Sequence, residues 1–340
     1  MSEYLDVLLA TWPLWALLVA LAVSIFALGK GADVLVKDAV AISLQWGVPS
    51  VVVGATIVSL GTTTPEAVVS VIAAVQGRSE LALGNAVGSI ICDTGLILGI
   101  ACLISPLPFD RAVVSRQGWL QLAGGFLLVL ACVPWGQPFS ATTEGGVLPQ
   151  FAGWLFLTLL AVYLRWSIQL ARDAPAEKEL ADHDVPAPHL RTTLSIVAAI
   201  LVVVVSSSFL IASATEMAVR FNVPSSVIAA TLVAFGTSLP ELVVVVTATL
   251  KGQSGLAIGN IIGADILNVL FVAGAAAAVT PAGLIAAPNF FLLQFPAMLF
   301  ILMLFRIGTL TAPTSTLGRT FGVVLLGAYL FVTVTSYMLS

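Results

Sequence analysis

Long apolar runs separated by short polar breaks fill the chain from end to end. Runs such as Val197–Ser206 (VAAILVVVVS) show no alternation of apolar and polar positions, so they do not read as strands of a membrane barrel. Each run reaches the roughly 20 residues that a helix needs to cross a bilayer. The pattern predicts ten such helices, at about 11–43, 50–76, 80–105, 117–135, 150–171, 192–219, 225–251, 255–280, 286–305 and 318–338. The strongly polar stretch is RDAPAEKELADHDVPAPHLR, Arg172–Arg191, whose charges and prolines mark a flexible connector. The expected organisation is therefore residues 1–171, a linker at 172–191, and residues 192–340.

Composition agrees with an all-α polytopic membrane protein. Of 340 residues, 59% are hydrophobic and 9% charged, with a mean hydropathy of +1.09, outside the range of soluble domains. Thr11–Lys30 reads as the first span, not as a cleaved signal. No basic patch points to nucleic acid. Cys92, Cys102 and Cys132 lie in apolar runs without metal-ligand spacing and read as packing residues. His183 and His189 sit in the polar linker, which removes histidine from any intramembrane site.

The chain repeats itself. With a shift of 175 positions, VPSVVVGATIVSLGTTTPEAVVSVIAAVQGRSELALGNAVGSII aligns without a gap on VPSSVIAATLVAFGTSLPELVVVVTATLKGQSGLAIGNIIGADI. Nearly half the positions from Val48 to Gly99 are identical to their partners, which identifies an internal duplication. Five spans per copy is an odd number, so the two copies are expected to be inverted relative to each other across the membrane. Lysine and arginine positions test that topology. With the N-terminus outside, eleven of the thirteen lie at or near the cytoplasmic side and only Arg78 and Arg220 lie outside, a strong positive-inside bias. Both termini are then expected outside. At the inner end of the first span, Asp33 and Lys37 are spaced to pair at i,i+4. Trp12, Trp15 and Trp135 read as interface anchors.

Each copy carries the same two motifs. The first is G-T-[TS]-x-P-E, at Gly61–Glu66 and Gly236–Glu241. A carboxylate in hydrocarbon costs several kcal/mol unless it is paired, hydrated or bound to a cation. Proline and glycine beside it allow the helix to break and expose carbonyls. Carboxylate, hydroxyl and carbonyl oxygens together are hard ligands of the kind that hold Ca²⁺ and Na⁺. The second motif is G-N-x-x-G, at Gly84–Gly88 and Gly259–Gly263, followed by Asp93 and Asn268 at equivalent positions and by Asp265, which has no acidic counterpart. In an inverted arrangement Glu66 and Glu241 meet near the midplane. One divalent or two monovalent cations would neutralise the pair equally, which is the physical basis of exchange. Each of these residues also has a structural reading: Glu66 and Glu241 as helix caps, Thr62, Thr63, Thr237 and Ser238 bonded back to the preceding turn, the asparagines as helix glue, Asp265 as a supporting or ion-paired acid.

The segments GTTTPE…GNAVGS and GTSLPE…GNIIGA resemble the two α-repeats of the sodium/calcium exchangers, within the cation/Ca²⁺ antiporter superfamily, and the short linker resembles that of the prokaryotic members. The resemblance covers nearly the whole chain. It implies that Glu66 and Glu241 are shared carboxylate ligands for Ca²⁺ and Na⁺. It adds oxygens from Thr62, Thr63, Thr237 and Ser238, the carbonyls of Ser59 and Ala234, and the hydroxyl of Ser89. Asp93 and Asn268 complete the central site in this reading, with Asp265 beside them. It further implies a membrane antiporter with transported ions and no cofactor, working as a monomer by alternating access in a bacterial inner membrane, the first and sixth spans moving against the rest. The chain departs from the pattern at Thr63–Thr64, where Ser-Leu is commoner, and at Ala264, where a serine usually closes a Na⁺ site. The acid and amide at 93 and 268 are swapped, and Asp265 stands where Asn is usual. The nearest alternative is H⁺/Ca²⁺ antiport, or another divalent cargo, on the same fold. An intramembrane metal-dependent enzyme is a remoter one, since histidine ligands are lacking.

Overall fold

The computed structural model describes residues 8–173, 189–221, 236–312 and 314–339. Its helices begin and end where the sequence supplies breakers. Helix α1 (Leu14–Trp46) follows Pro13 and stops at Gly47, whose φ of +63° lets its N–H reach back to the Leu44 carbonyl and the Val48 N–H to that of Ser43. Pro49 precedes the next helix, which is bent. Ser50–Thr62 (α2) and Thr64–Val75 (α3) meet at 43°, with Pro65 in the first turn of α3, where its missing N–H costs nothing. Gly77 (φ +79°) turns the chain into α4 (Ser79–Ile104). Helix α5 (Arg111–Cys132) is capped by the Asp110 carboxylate, which accepts from the N–H groups of Ala112 and Val113. Then come α6 (Gln150–Asp173) and α7 (His189–Arg220).

The second copy repeats the scheme. Helix α8 (Leu239–Leu250) has Pro240 in its first turn, and Gly252 (φ +71°) turns into α9 (Ser254–Ala278). Helices α10 (Phe290–Thr311) and α11 (Arg319–Leu339) complete the chain. Among the described residues seven helices are each long and apolar enough to cross a bilayer, eight if α2 and α3 are counted as one bent span. The expected span at 225–251 begins in residues that lie outside the described ones.

Helices α4 and α9 form the centre and α1 and α7 the periphery. Of the most apolar stretch, 89% is buried in α9 and 72% in α4, against 22% in α1 and 28% in α7. A helix that is apolar all round belongs in a core. The peripheral helices α1 and α7 pack along each other. Their outward residues, such as Phe26, Val23 and Leu201, remain exposed, which suits a lipid-facing surface.

The two copies are interlocked. Helix α6, from the first copy, packs on the end of α9, and α11, from the second, packs on the end of α4. Glycines make both crossings close. A Cβ on Gly153 would lie 2.7 Å from the Gly274 carbonyl, and one on Gly322 would lie 2.8 Å from the Gly99 carbonyl. Two short antiparallel ribbons repeat the relationship. Strand β1 (Leu107–Pro108) pairs with β4 (Thr316–Leu317), and β2 (Gly146–Leu148) with β3 (Leu284–Ala286).

One pairing expected from spacing is replaced. Asp33 accepts from Lys251, at the end of α8, with Nζ to Oδ1 at 3.0 Å, and not from Lys37. The i,i+4 geometry is available, but the end of α8 brings a competing ammonium to α1. Cys92, Cys102 and Cys132 are buried and unpaired.

Candidate cation site between the duplicated motifs

The site grows out of the interruptions in the helices. Besides the bend at Thr63, wide π-type turns occupy Gly54–Val58, Cys92–Ile97 and Asn268–Ala273. The last two fall at equivalent places in the duplication and carry Asp93 and Asn268. Such turns free backbone groups and re-aim side chains, and they recur at functional positions. Glu66 and Glu241 each lie in the first turn of a helix, α3 and α8, where the unbonded N–H groups favour negative charge. Both are 1% exposed.

Hydrogen bonds across the copies hold these residues. The Thr63 hydroxyl donates to Glu241 Oε1 at 3.2 Å, and the Thr62 hydroxyl also faces Glu241. Asn268 donates to Asp93 Oδ2 at 3.4 Å, and the Ser238 hydroxyl lies against Asp93. Thr237 donates to Asn85 Oδ1 (3.4 Å), while the Asn85 amide donates to the Glu66 carbonyl (3.3 Å) and to Ser70 (3.0 Å). Glu66, Glu241 and Asp93 are within coulombic reach of one another, as are Asp93 and Asp265.

What distinguishes the cluster is the set of buried oxygens without a partner: Glu66 Oε2, Glu241 Oε2, Asp93 Oδ1, Asp265 Oδ1 and Asn268 Oδ1, with the whole amide of Asn260. A polar group buried without a partner is costly. Neither ion pair among the described residues, Arg220–Glu216 and Lys251–Asp33, touches any of them. Among the described residues no three acidic, cysteine or histidine side chains converge tightly enough for a compact metal centre. The donor set is mixed, with hydroxyl and amide oxygens between the acids.

The remaining expected ligands are placed as follows. Ser59 is fully buried, and its carbonyl accepts from the Thr63 N–H (2.8 Å) and the Thr62 hydroxyl (3.3 Å); the back-bonded geometry thus holds for Thr62. Ser89 is buried on α4, one turn before Asp93. Ala234 lies outside the described residues. Asp265 has no ion pair; its Oδ2 accepts from Thr94 and from Gln121, each at 2.5 Å.

Thr94 and Gln121 were not singled out in the sequence. Asn85 was visible as half of a repeated Gly-Asn. Gln121 lies outside the duplicated motifs, but Gln117 and Gln121, spaced i,i+4 in an apolar helix, were a legible signal. Gln117 belongs to a second polar chain: it accepts from Tyr163 (3.1 Å), which also donates to the Ala55 carbonyl of the first π-type turn (3.1 Å). A cavity of about 610 Å³ at the start of α4 is lined by Arg78, Glu80, Gly84, Phe290 and Gln294 among others.

The family model for "sodium/calcium exchanger protein" matches residues 16–169 and 191–338. The inner membrane protein YrbG of Escherichia coli K12 is 31% identical over 91% of this chain and 93% of its own. The sodium/calcium exchanger MaX1 of Methanosarcina acetivorans is 28% identical over 82% of this chain and 88% of its own. The sodium-calcium exchanger NCX_Mj, in a crystal soaked with 10 mM Na⁺ and zero Ca²⁺, superposes with a TM-score of 0.78 at 25% identity, covering 94% of this chain and 98% of that one. The chain is thus an integral, multi-pass membrane transport protein, a cation/Ca²⁺ antiporter and not an enzyme, and it belongs to the sodium/calcium exchanger family.

Proposed function

We propose that the chain exchanges Ca²⁺ for Na⁺ across the membrane by alternating access. The observation that carries this reading is the cluster of partnerless buried oxygens on Glu66, Glu241, Asp93 and Asn268, contributed by both copies of one motif. The acids Glu66, Glu241, Asp93 and Asp265, in no ion pair among the described residues, call for cations as counter-charge. Ca²⁺ or Na⁺ would be held by Glu66 and Glu241, with Thr62, Thr63, Thr237, Ser238 and Ser89, the carbonyls of Ser59 and Ala234, and Asp93 and Asn268 around them. Because both cargoes use the same carboxylates, one must leave before the other binds.

The proposed architecture is ten spans in two inverted five-helix repeats, residues 1–171 and 192–340, joined by a cytoplasmic linker. The interlocked crossings and the paired ribbons support it, as each contact recurs with the copies exchanged. Both termini are placed outside a bacterial inner membrane, with the monomer as the working unit. Helices α1 and α7 are the moving pair. Arg220, at the end of α7, donates to the carbonyl of Ala10, ahead of α1, at 2.9 Å. On its inner face α7 rides over both motif glycines. A Cβ on Gly61 would lie 2.4 Å from Ile200, and one on Gly236 would lie 2.8 Å from Ile211. An empty, charged site resists crossing an apolar barrier, which makes the switch depend on bound ions.

Proton-coupled exchange is the second reading, favoured by Ala264 in place of a hydroxyl. Uptake of radioactive Ca²⁺ into proteoliposomes loaded with Na⁺, with K⁺, or with acid separates the two. Uptake driven by Na⁺ alone is the expected result. Uptake only from the acid-loaded vesicles overturns Na⁺ coupling.

A further inference from the structure

Ser206, Ser207 and Ser208 interrupt the apolar run of α7 near its middle. In a helix such hydroxyls can bond back to the preceding turn. Ser208 does so, donating to the Val204 carbonyl at 2.9 Å. Ser207 does not. It is 2% exposed, and its Oγ has no partner among the described residues. A buried hydroxyl left without a partner is costly, so its place in the helix needs a reason.

The face it occupies supplies one. Helix α7 packs against Ser59–Thr62 and against α8, which carry parts of the two motifs. Ile200 and Ile211 mark the line of contact, one against Gly61 and the other against Gly236. At 3.6 residues per turn, Ser207 lies about 20° around the helix from Ile200 and about 40° from Ile211, so the three share one face. Along the axis it lies about 6 Å from Ile211, roughly one turn. A slide of α7 by that turn exchanges the Ile211 side chain at Gly236 for the Ser207 hydroxyl. An apolar plug and an oxygen ligand thus alternate at the first residue of the second motif. We propose that Ser207 is a ligand of the cation in transit, its hydroxyl meeting Ca²⁺ or Na⁺ at the second motif in the state that withdraws Ile211. This rests on the reading of α1 and α7 as the moving pair of an antiporter. A hydroxyl is a hard oxygen of the kind both ions accept. With the shift of 175 positions Ala32 stands at the equivalent place in α1, so the contribution comes from α7 alone.

Threonine and valine at position 207 have the same shape and differ in the hydroxyl. The test is the initial rate of Ca²⁺ uptake by proteoliposomes of the full chain, measured against Ca²⁺ concentration. Ser207→Thr is expected to stay near wild type. Ser207→Val is expected to lose about tenfold in maximal rate at an unchanged half-saturating concentration, as when an interaction made only on the way across is removed. Ser213 is equally buried and partnerless, but it lies about 120° around α7 from Ser207. Ser213→Val is expected to keep the wild-type rate. Equal rates in Ser207→Thr and Ser207→Val overturn the proposal. So does an equal loss in Ser213→Val, which would make the effect one of packing. A second readout needs no transport. In Ser207→Cys a small cationic methanethiosulfonate is expected to label residue 207, read by peptide mass spectrometry, and Ca²⁺ is expected to slow the labelling. Ser213→Cys is expected to stay unlabelled. No label at 207, or labelling that ignores Ca²⁺, overturns the proposal. Wild-type vesicles that take up no Ca²⁺ with Na⁺, K⁺ or acid inside defeat the antiport reading, while the labelling still judges Ser207.

Discussion

Asp93 and Asn268 are 175 positions apart, the shift that superposes one copy of the motif on the other, and they hydrogen-bond to each other. A residue that touches its own counterpart lies on the axis relating the two copies. The acid and the amide there share one location, so the charge matters more than the copy that supplies it. The double exchange Asp93→Asn with Asn268→Asp is therefore expected to retain Ca²⁺ uptake. Asp93→Asn alone, which removes a charge, is expected to slow it about tenfold or more, a loss of roughly 1.4 kcal/mol or above. Initial uptake rates in proteoliposomes decide between them.

Glu66 and Glu241 are the proposed shared ligands. Glu66→Gln and Glu241→Gln keep size and hydrogen-bonding capacity but remove the charge that a cation needs. Each is expected to abolish Ca²⁺ uptake while the protein elutes and melts as a folded monodisperse species. Full uptake in both variants would remove these residues from the site.

Thr63 holds Glu241 from the opposite copy. Thr63→Ala takes the donor from a buried carboxylate oxygen, a change that costs about 1–3 kcal/mol. The expected result is a lowered melting temperature and weaker Ca²⁺ stabilisation. Thr63→Ser, which keeps the hydroxyl, is expected to restore both.

The glycine crossings are tested by adding one methyl. In Gly259→Ala the new carbon would lie 2.1 Å from the Val51 carbonyl, and in Gly153→Ala 2.4 Å from the Ala278 nitrogen. Backbone cannot yield as a side chain does, so overpacking of about 1–3 kcal/mol or more is expected at each. Gly88 and Gly29 have nothing within 4 Å, and alanine there is expected to leave the melting temperature within a degree or two, in line with neutral substitutions.

Much of this was legible in the sequence for definite reasons. The break at Thr63 shows because proline and glycine act locally, whatever surrounds them. The closeness of Glu66 and Glu241 is legible because the duplication places the same motif in each copy. The π-type turns at Cys92 and Asn268 do not show, since no residue type marks them and they form only when neighbouring helices pull the ladder open. Gln121 escaped because it serves the site from a helix outside the repeated motifs. Lys251 escaped as the partner of Asp33 because spacing along one helix says nothing of what another helix brings. The interlocking of α6 with α9 and of α11 with α4 is a tertiary choice, and glycines alone did not announce it.

That interlocking has a consequence for how the protein is made. The face of α4 around Gly99 packs against α11, a helix of the second copy. The first copy therefore buries that face only after the second copy has been made. One copy alone would leave that face open, to be closed by the matching helix of a twin.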